Sequence, residues 1–255
     1  MSSSPATPAV LFVTVAALWG AVAGSLLVRP GYRLSVAPGE PWRPACPAGH
    51  PFPSRPLGGW LGRGRCGDCA LPLARTPRGP LVLAVVCAVC CAGLAAVSGS
   101  RPESVVWLLA VPAAVLLAAV DFAVQRLPDV LTLPLAAVLA AGLGVAALLP
   151  GAGGSWPRAL LGGAALGGVY FVLFLVNPRG MGLGDVKLAV PIGAALAWYG
   201  WDAVLLGTFM GFLLAAGYGL ILTVRGRAGR RTAIPFGPFM VLGAFAALTL
   251  AAAAA

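Results

Sequence analysis

Long apolar runs, separated by short polar breaks, set the pattern of this chain. A helix needs about 20 mostly apolar residues to cross a bilayer. Runs of that order lie at 8–28, 80–98, 104–122, 130–149, 159–176, 186–200, 203–224 and 235–254, which predicts eight spans, the sixth the shortest. A polar, Pro/Arg-rich segment from 29 to 79 separates the first run from the rest. The alanine-rich stretch 246–255 reads as the end of the last span, and no long internal repeat is visible. The first run follows Met1-Ser2-Ser3-Ser4-Pro5, with no basic region before it and no clear cleavage site after it. It is read as a retained helix, not a signal peptide.

Composition agrees. Hydrophobic residues make up 60% of the chain and charged residues 9%, with mean hydropathy +0.94; a soluble domain carries about 25% charged residues. The expected fold is an all-α membrane protein: a polytopic helical bundle of about eight transmembrane helices with one cytoplasmic loop subdomain. Its expected parts are a first transmembrane helix (1–28), the loop (29–79) and a transmembrane core (80–255). A net charge of +10 would point to nucleic acid in a soluble protein. Here the basic residues crowd into a few loops, so the positive-inside rule is the better account and no nucleic-acid partner is expected. With 29–79 inside, fifteen of the seventeen Lys and Arg residues fall on the inside, and only Arg101 and Arg158 fall outside. Both termini are then outside. Dropping one span would invert the later loops.

The acidic residues are few enough to place one by one. Asp121 closes the third span and Asp185 opens the sixth, both on the inside edge. Asp129 follows Arg126-Leu127-Pro128, whereas Glu103 and Asp202 stand at outside ends. An ionisable residue within a span costs about 2.5–3.5 kcal/mol on insertion scales and is a functional candidate for that reason. Two carboxylates brought together share one proton, because ionising both is unfavourable. Such a pair can activate water with one member and protonate a leaving amine with the other, which is aspartic peptide hydrolysis. Gly180, Gly182 and Gly184 precede Asp185 and would leave room for an extended substrate backbone. Pro178 discourages a continuous helix up to Asp185. Lys187, two positions on, shares no helix face with Asp185 and is expected to snorkel to the interface. Asp129 and Asp202 read as interfacial residues.

Four stretches carry a resemblance to a known family. They are Asp121-Phe122-Ala123-Val124-Gln125-Arg126-Leu127-Pro128-Asp129, Gly182-Leu183-Gly184-Asp185-Val186-Lys187-Leu188, Ile234-Pro235-Phe236-Gly237-Pro238-Phe239 and Gly20-Ala21-Val22-Ala23-Gly24-Ser25. Together they resemble the prepilin peptidases, or type IV leader peptidases, which are Gly-x-Gly-Asp intramembrane aspartic proteases. The resemblance implies that Asp121 and Asp185 are the catalytic pair and that Asp129 is not catalytic. It implies a type IV prepilin or pseudopilin substrate, cut on the cytoplasmic side of a bacterial inner membrane, with no cofactor for proteolysis. Full-length relatives also methylate the new N-terminus with S-adenosylmethionine. Many members carry two Cys-x-x-Cys pairs that bind zinc in the loop. Here Cys66-Gly67-Asp68-Cys69 is intact, and Cys46-Pro47-Ala48-Gly49-His50 lacks one cysteine. Structural zinc takes four N or S ligands, and Cys46, His50, Cys66 and Cys69 could supply them. Cys87, Cys90 and Cys91 lie in the second span and are expected to pack. The division of the six cysteines between loop and span argues against a disulfide framework. Two other classes fit a polytopic chain with buried carboxylates: a proton-coupled transporter and a non-catalytic pilus-assembly membrane protein.

Overall fold

The computed structural model describes residues 6–54, 59–62, 64–74, 76, 78–178, 180–226 and 234–255. Arg55, Arg63, Arg75, Arg179, Arg227, Arg230 and Arg231, counted above among the inside charges, lie outside the described residues. The described residues form nine helices and no strand: α1 (Ala6–Leu26), α2 (Val28–Leu34), α3 (Gly79–Ser98), α4 (Pro102–Val124), α5 (Asp129–Ala147), α6 (Trp156–Val176), α7 (Leu183–Tyr199), α8 (Trp201–Val224) and α9 (Gly237–Ala254). All but α2 and α7 are long and apolar enough to cross a membrane, seven in number. The chain is an all-α, multi-pass membrane protein. It divides into two compact units, one of Met1–Ser100 with Trp107–Arg126 and one of Arg101–Val106 with Leu127–Ala255.

In the first unit α1 lies against α3. Gly20 faces the backbone of Cys87 and Ala88, and Gly24 that of Leu83 and Ala84. A Cβ at Gly20 would stand 2.8 Å from the Ala88 Cα, and one at Gly24 the same distance from the Ala84 Cα. The Gly-x-x-x-Gly of the first helix is therefore a close helix–helix contact of the kind that drives association in lipid. Cys87 and Cys91 are fully buried in that packing, as expected of them.

The short helix α2 was not foreseen, because its Arg29 and Arg33 hide the apolar residues between them. Val28, Pro30 and Leu34 are its buried positions. The segment after it has little apolar mass, and arginines hold it together. The Arg33 guanidinium stacks 3.9 Å over the Trp60 ring and its Nε donates to the Arg43 carbonyl at 3.1 Å; Arg43 stacks 4.7 Å over Tyr32. Cation–π contacts of this kind contribute about 0.5–1 kcal/mol each at exposed sites and more where desolvated. Below them Val28, Cys46, Cys66 and Leu73 form a small buried cluster.

The second unit is built around α7, which packs against α5, α6, α8 and α9. Leu188, Ala189, Pro191, Gly193, Ala194, Leu196, Ala197 and Trp198 are all buried. This explains why its sequence is the weakest of the membrane segments: its neighbours are protein, not lipid. Close approach to α6 depends on glycine. Gly162 faces Ala197, and a Cβ on Gly163 would stand 3.0 Å from the Val190 carbonyl oxygen. The C-terminal end of α7 is pinned by Arg158, whose guanidinium donates to the carbonyls of Ala197, Trp198 and Tyr199 at 2.8, 2.7 and 3.0 Å. A cation there satisfies orphan carbonyls and suits the helix dipole. Glu103 stands at the start of α4, where the sequence placed an outside end, yet it is fully buried. Its Oε1 accepts the Gly153 N–H at 3.0 Å and the Tyr199 hydroxyl at 3.3 Å.

Candidate functional site

The break between α6 and α7 falls where Pro178 and the glycines require it. Helix α6 ends at Val176, and α7 begins at Leu183 after an extended Gly182 (φ −84°, ψ 150°). Asp185 is the third residue of α7, and its Oδ2 accepts the Gly182 N–H at 3.0 Å. The carboxylate thus satisfies a donor that the helix start leaves orphaned, at the end of the helix where the dipole favours negative charge.

The two glycines differ in their surroundings. A Cβ on Gly184 would meet the Cβ of Leu127 at 2.9 Å, so the space beside Gly184 is filled by a side chain from the first motif. Gly182 is exposed, and the atoms a Cβ there would meet are Asp185 Oδ2 and the Gly184 N. Lys187 does not simply snorkel: its Nζ donates to both oxygens of Asp129, at 2.7 and 2.8 Å. Sequence reasoning missed this pair. A lysine in the opening turns of a helix, against the dipole, is the signal that an acid from elsewhere meets it.

Behind the turn lies Tyr170, buried and within electrostatic reach of Asp185. Its ring stacks on Phe236 with centroids 6.2 Å apart, and Phe236 also meets Phe212 at 5.0 Å. The aromatic of the Ile234-Pro235-Phe236-Gly237 stretch therefore packs onto the residue behind Asp185. Tyr170 gave no sequence signal, since a tyrosine in an apolar run reads as ordinary packing.

Asp121 belongs to the first unit, near the end of α4, and is 5% exposed. Its carbonyl accepts the Gln125 N–H at 2.7 Å. Gln125 is left-handed (φ +53°) and ends the helix. Arg126 then donates to the Ala37 carbonyl at 3.2 Å.

The loop cysteines and the histidine come together. The ligand atoms of Cys46, His50, Cys66 and Cys69 all lie within 4.8 Å of one another. Two tight turns present them, one closed by an Ala45–Pro51 bridge and the other by an Arg65–Pro72 bridge. Cys46 Sγ is 3.7 Å from Cys69 Sγ and 3.5 Å from His50 Nδ1. Zinc bonds of about 2.3 Å to sulfur and about 2.0–2.1 Å to nitrogen in a tetrahedron give S–S edges of about 3.8 Å and S–N edges of about 3.5–3.6 Å. The set fits zinc on distance and donor type. The Cys66 thiol is held down to about 7, chiefly by the backbone N–H groups of Cys69 and Asp68, which favours the thiolate a metal needs. All six cysteines are free of disulfides.

Residues 108–222 match the family model described as the type IV leader peptidase family. The chain is 33% identical over 231 residues to a protein of Aeromonas hydrophila named prepilin leader peptidase/N-methyltransferase, covering 86% of this chain and 74% of the relative. A protein of the same name from Stutzerimonas stutzeri is 29% identical over 269 residues, covering 93% of this chain and 90% of the relative. Another, from Burkholderia pseudomallei, is 34% identical over 194 residues, covering 73% of this chain; the chain spans 58% of that relative's length. No solved structure matches the chain.

Proposed function

This chain belongs to the type IV leader peptidase family, and we propose that it is an intramembrane aspartic endopeptidase that removes the leader from type IV prepilins or pseudopilins. The observation that carries the reading is that the family match, 108–222, contains both Asp121 and Asp185, each in its own motif. In the proposed mechanism the two carboxylates share one proton. The ionised member takes a proton from water as the water oxygen attacks the scissile carbonyl. The protonated member then gives its proton to the leaving amine as the C–N bond breaks, so water is divided between the new acid and the new amine. The proton belongs to the pair and not to either residue. One oxygen of Asp185 is occupied by the Gly182 N–H, which fixes the carboxylate and leaves the other oxygen for water. Gly182 offers open space to a substrate backbone; Gly184 serves the same turn by admitting Leu127.

The proposed setting is a bacterial inner membrane, with the loop 29–79 cytoplasmic, both termini outside, and cleavage on the cytoplasmic side. Cys46, His50, Cys66 and Cys69 would hold a structural zinc that ties the two turns of the loop; the metal takes no part in proteolysis. N-methylation of the new N-terminus from S-adenosylmethionine rests on the relatives' names. The loop's carboxylates, Glu40 and Asp68, are both exposed, and no Gly-rich strand–helix turn occurs among its described residues, so no residues here are assigned to a methyl donor.

The test is leader cleavage by the purified protein on a type IV prepilin. Asp121→Ala and Asp185→Ala each abolish cleavage; full cleavage by either one refutes the reading, since a single carboxylate does not supply both acid and base.

A further inference from the structure

We propose that Asp129 and Lys187 are a positioning pair which, with Leu127, clamps the turn that carries Asp185. The inference rests on the peptidase reading above. Lys187 is the fifth residue of α7, and Asp129 is the first residue of α5. A cation that close to a helix N-terminus is disfavoured by roughly 0.3–1 kcal/mol, whereas an anion at the start of a helix is favoured. The two-oxygen contact at 2.7 and 2.8 Å answers the misplaced cation and joins the N-terminal ends of two helices.

Leu127 adds a second point of contact. It lies two residues before Asp129 and packs on Gly184, three residues before Lys187. Residues three apart share one helix face. The segment Leu127-Pro128-Asp129 therefore grips one face of the opening turn of α7 at two points, and Pro128 stiffens the grip by fixing its own φ. Asp185 lies between the gripped positions, its carboxylate turned back to Gly182. The same segment starts six residues after Asp121 in the chain. The tail of the first aspartate motif thus holds the second.

The pair is not there for stability. Its side chains are 38% and 56% exposed, and ion pairs in such positions contribute about 0–1 kcal/mol. Placement is another matter, since a displacement of about 1 Å at a catalytic group can cost about 100-fold in rate.

The experiment measures prepilin cleavage by the full chain in detergent, with kcat and KM taken per folded molecule. Asp129→Asn and Lys187→Gln each lower kcat by about 10- to 100-fold with KM unchanged. The double variant falls no further than either single, and Lys187→Arg keeps most of the rate. Singles at the wild-type kcat, or losses that multiply in the double variant, overturn the proposal while an inactive Asp185→Ala leaves the peptidase reading standing. An Asp185→Ala protein that cleaves at full rate overturns both.

Discussion

Gly184 shows how a residue can be picked out correctly for a reason that is incomplete. Its place beside a costly carboxylate was visible in the sequence, and so was the need for a missing side chain. The occupant of the space was not, because Leu127 lies in a different stretch of the chain and meets Gly184 only once α5 and α7 pack. Glu103 is the converse: the hydropathy pattern gives it an interfacial address, yet the folded chain buries it on the Gly153 N–H and the Tyr199 hydroxyl. Hydropathy reports the preference of a segment and not the polar partners that other segments bring. The Gly184–Leu127 contact makes a prediction. Gly184→Ala places a Cβ 2.9 Å from Leu127, an overpacking that typically costs about 1–3 kcal/mol. Thermal unfolding in detergent and prepilin cleavage should both fall for Gly184→Ala, and Leu127→Ala in the same chain should restore part of each. If Leu127→Ala gives no relief, Leu127 is not what Gly184 makes room for.

Among the elements, the membrane helices were legible and the loop was legible only in part. Apolar run length located α1, α3–α6, α8 and α9 within a few residues. The short helix α2 escaped because its buried residues are interleaved with arginines. The cysteine spacing pointed to a ligand set, but only the fold shows that Cys46 and His50 sit on one turn and Cys66 and Cys69 on another, with sulfur and nitrogen at tetrahedral separations. A loop with a buried cluster of four residues has little core of its own, and a metal across its two turns would add what the core lacks. Purified protein should contain one zinc per chain. Cys46→Ser or His50→Ala should lower that content, and chelation should open the loop to protease while the transmembrane helices stay protected. Absence of zinc, with Cys66 and Cys69 freely alkylated in the native protein, would show that the cluster is metal-free.

Across the whole molecule, the open issue is whether α7 crosses the membrane. At 17 residues it is about 26 Å long, short of the roughly 30 Å hydrocarbon core, and it is not among the seven helices that qualify as spans by length and composition. Two observations argue that it crosses. Its neighbours α5, α6, α8 and α9 surround it with protein, so its apolar length need not match the lipid. Gly200 alone joins α7 to α8, so the two helices turn back on each other at that point. Charge then decides between the topologies. If α7 crosses, the loop after α8, with Arg225, Arg227, Arg230 and Arg231, lies on the same side as Arg179 and the large basic loop. If it does not, those four arginines move outside, against the positive-inside rule. The two cases are separated by single cysteines at Gly180, Gly200 and Gly226, placed in a chain whose native cysteines are replaced and labelled with a membrane-impermeant maleimide. Crossing predicts that Gly200→Cys labels in intact cells, while Gly180→Cys and Gly226→Cys label only after permeabilisation. Labelling of Gly226→Cys from outside, with Gly180→Cys still protected, would mean that α7 does not cross, and would place the turn of Asp185 at the end of a helix that dips into the bundle and returns.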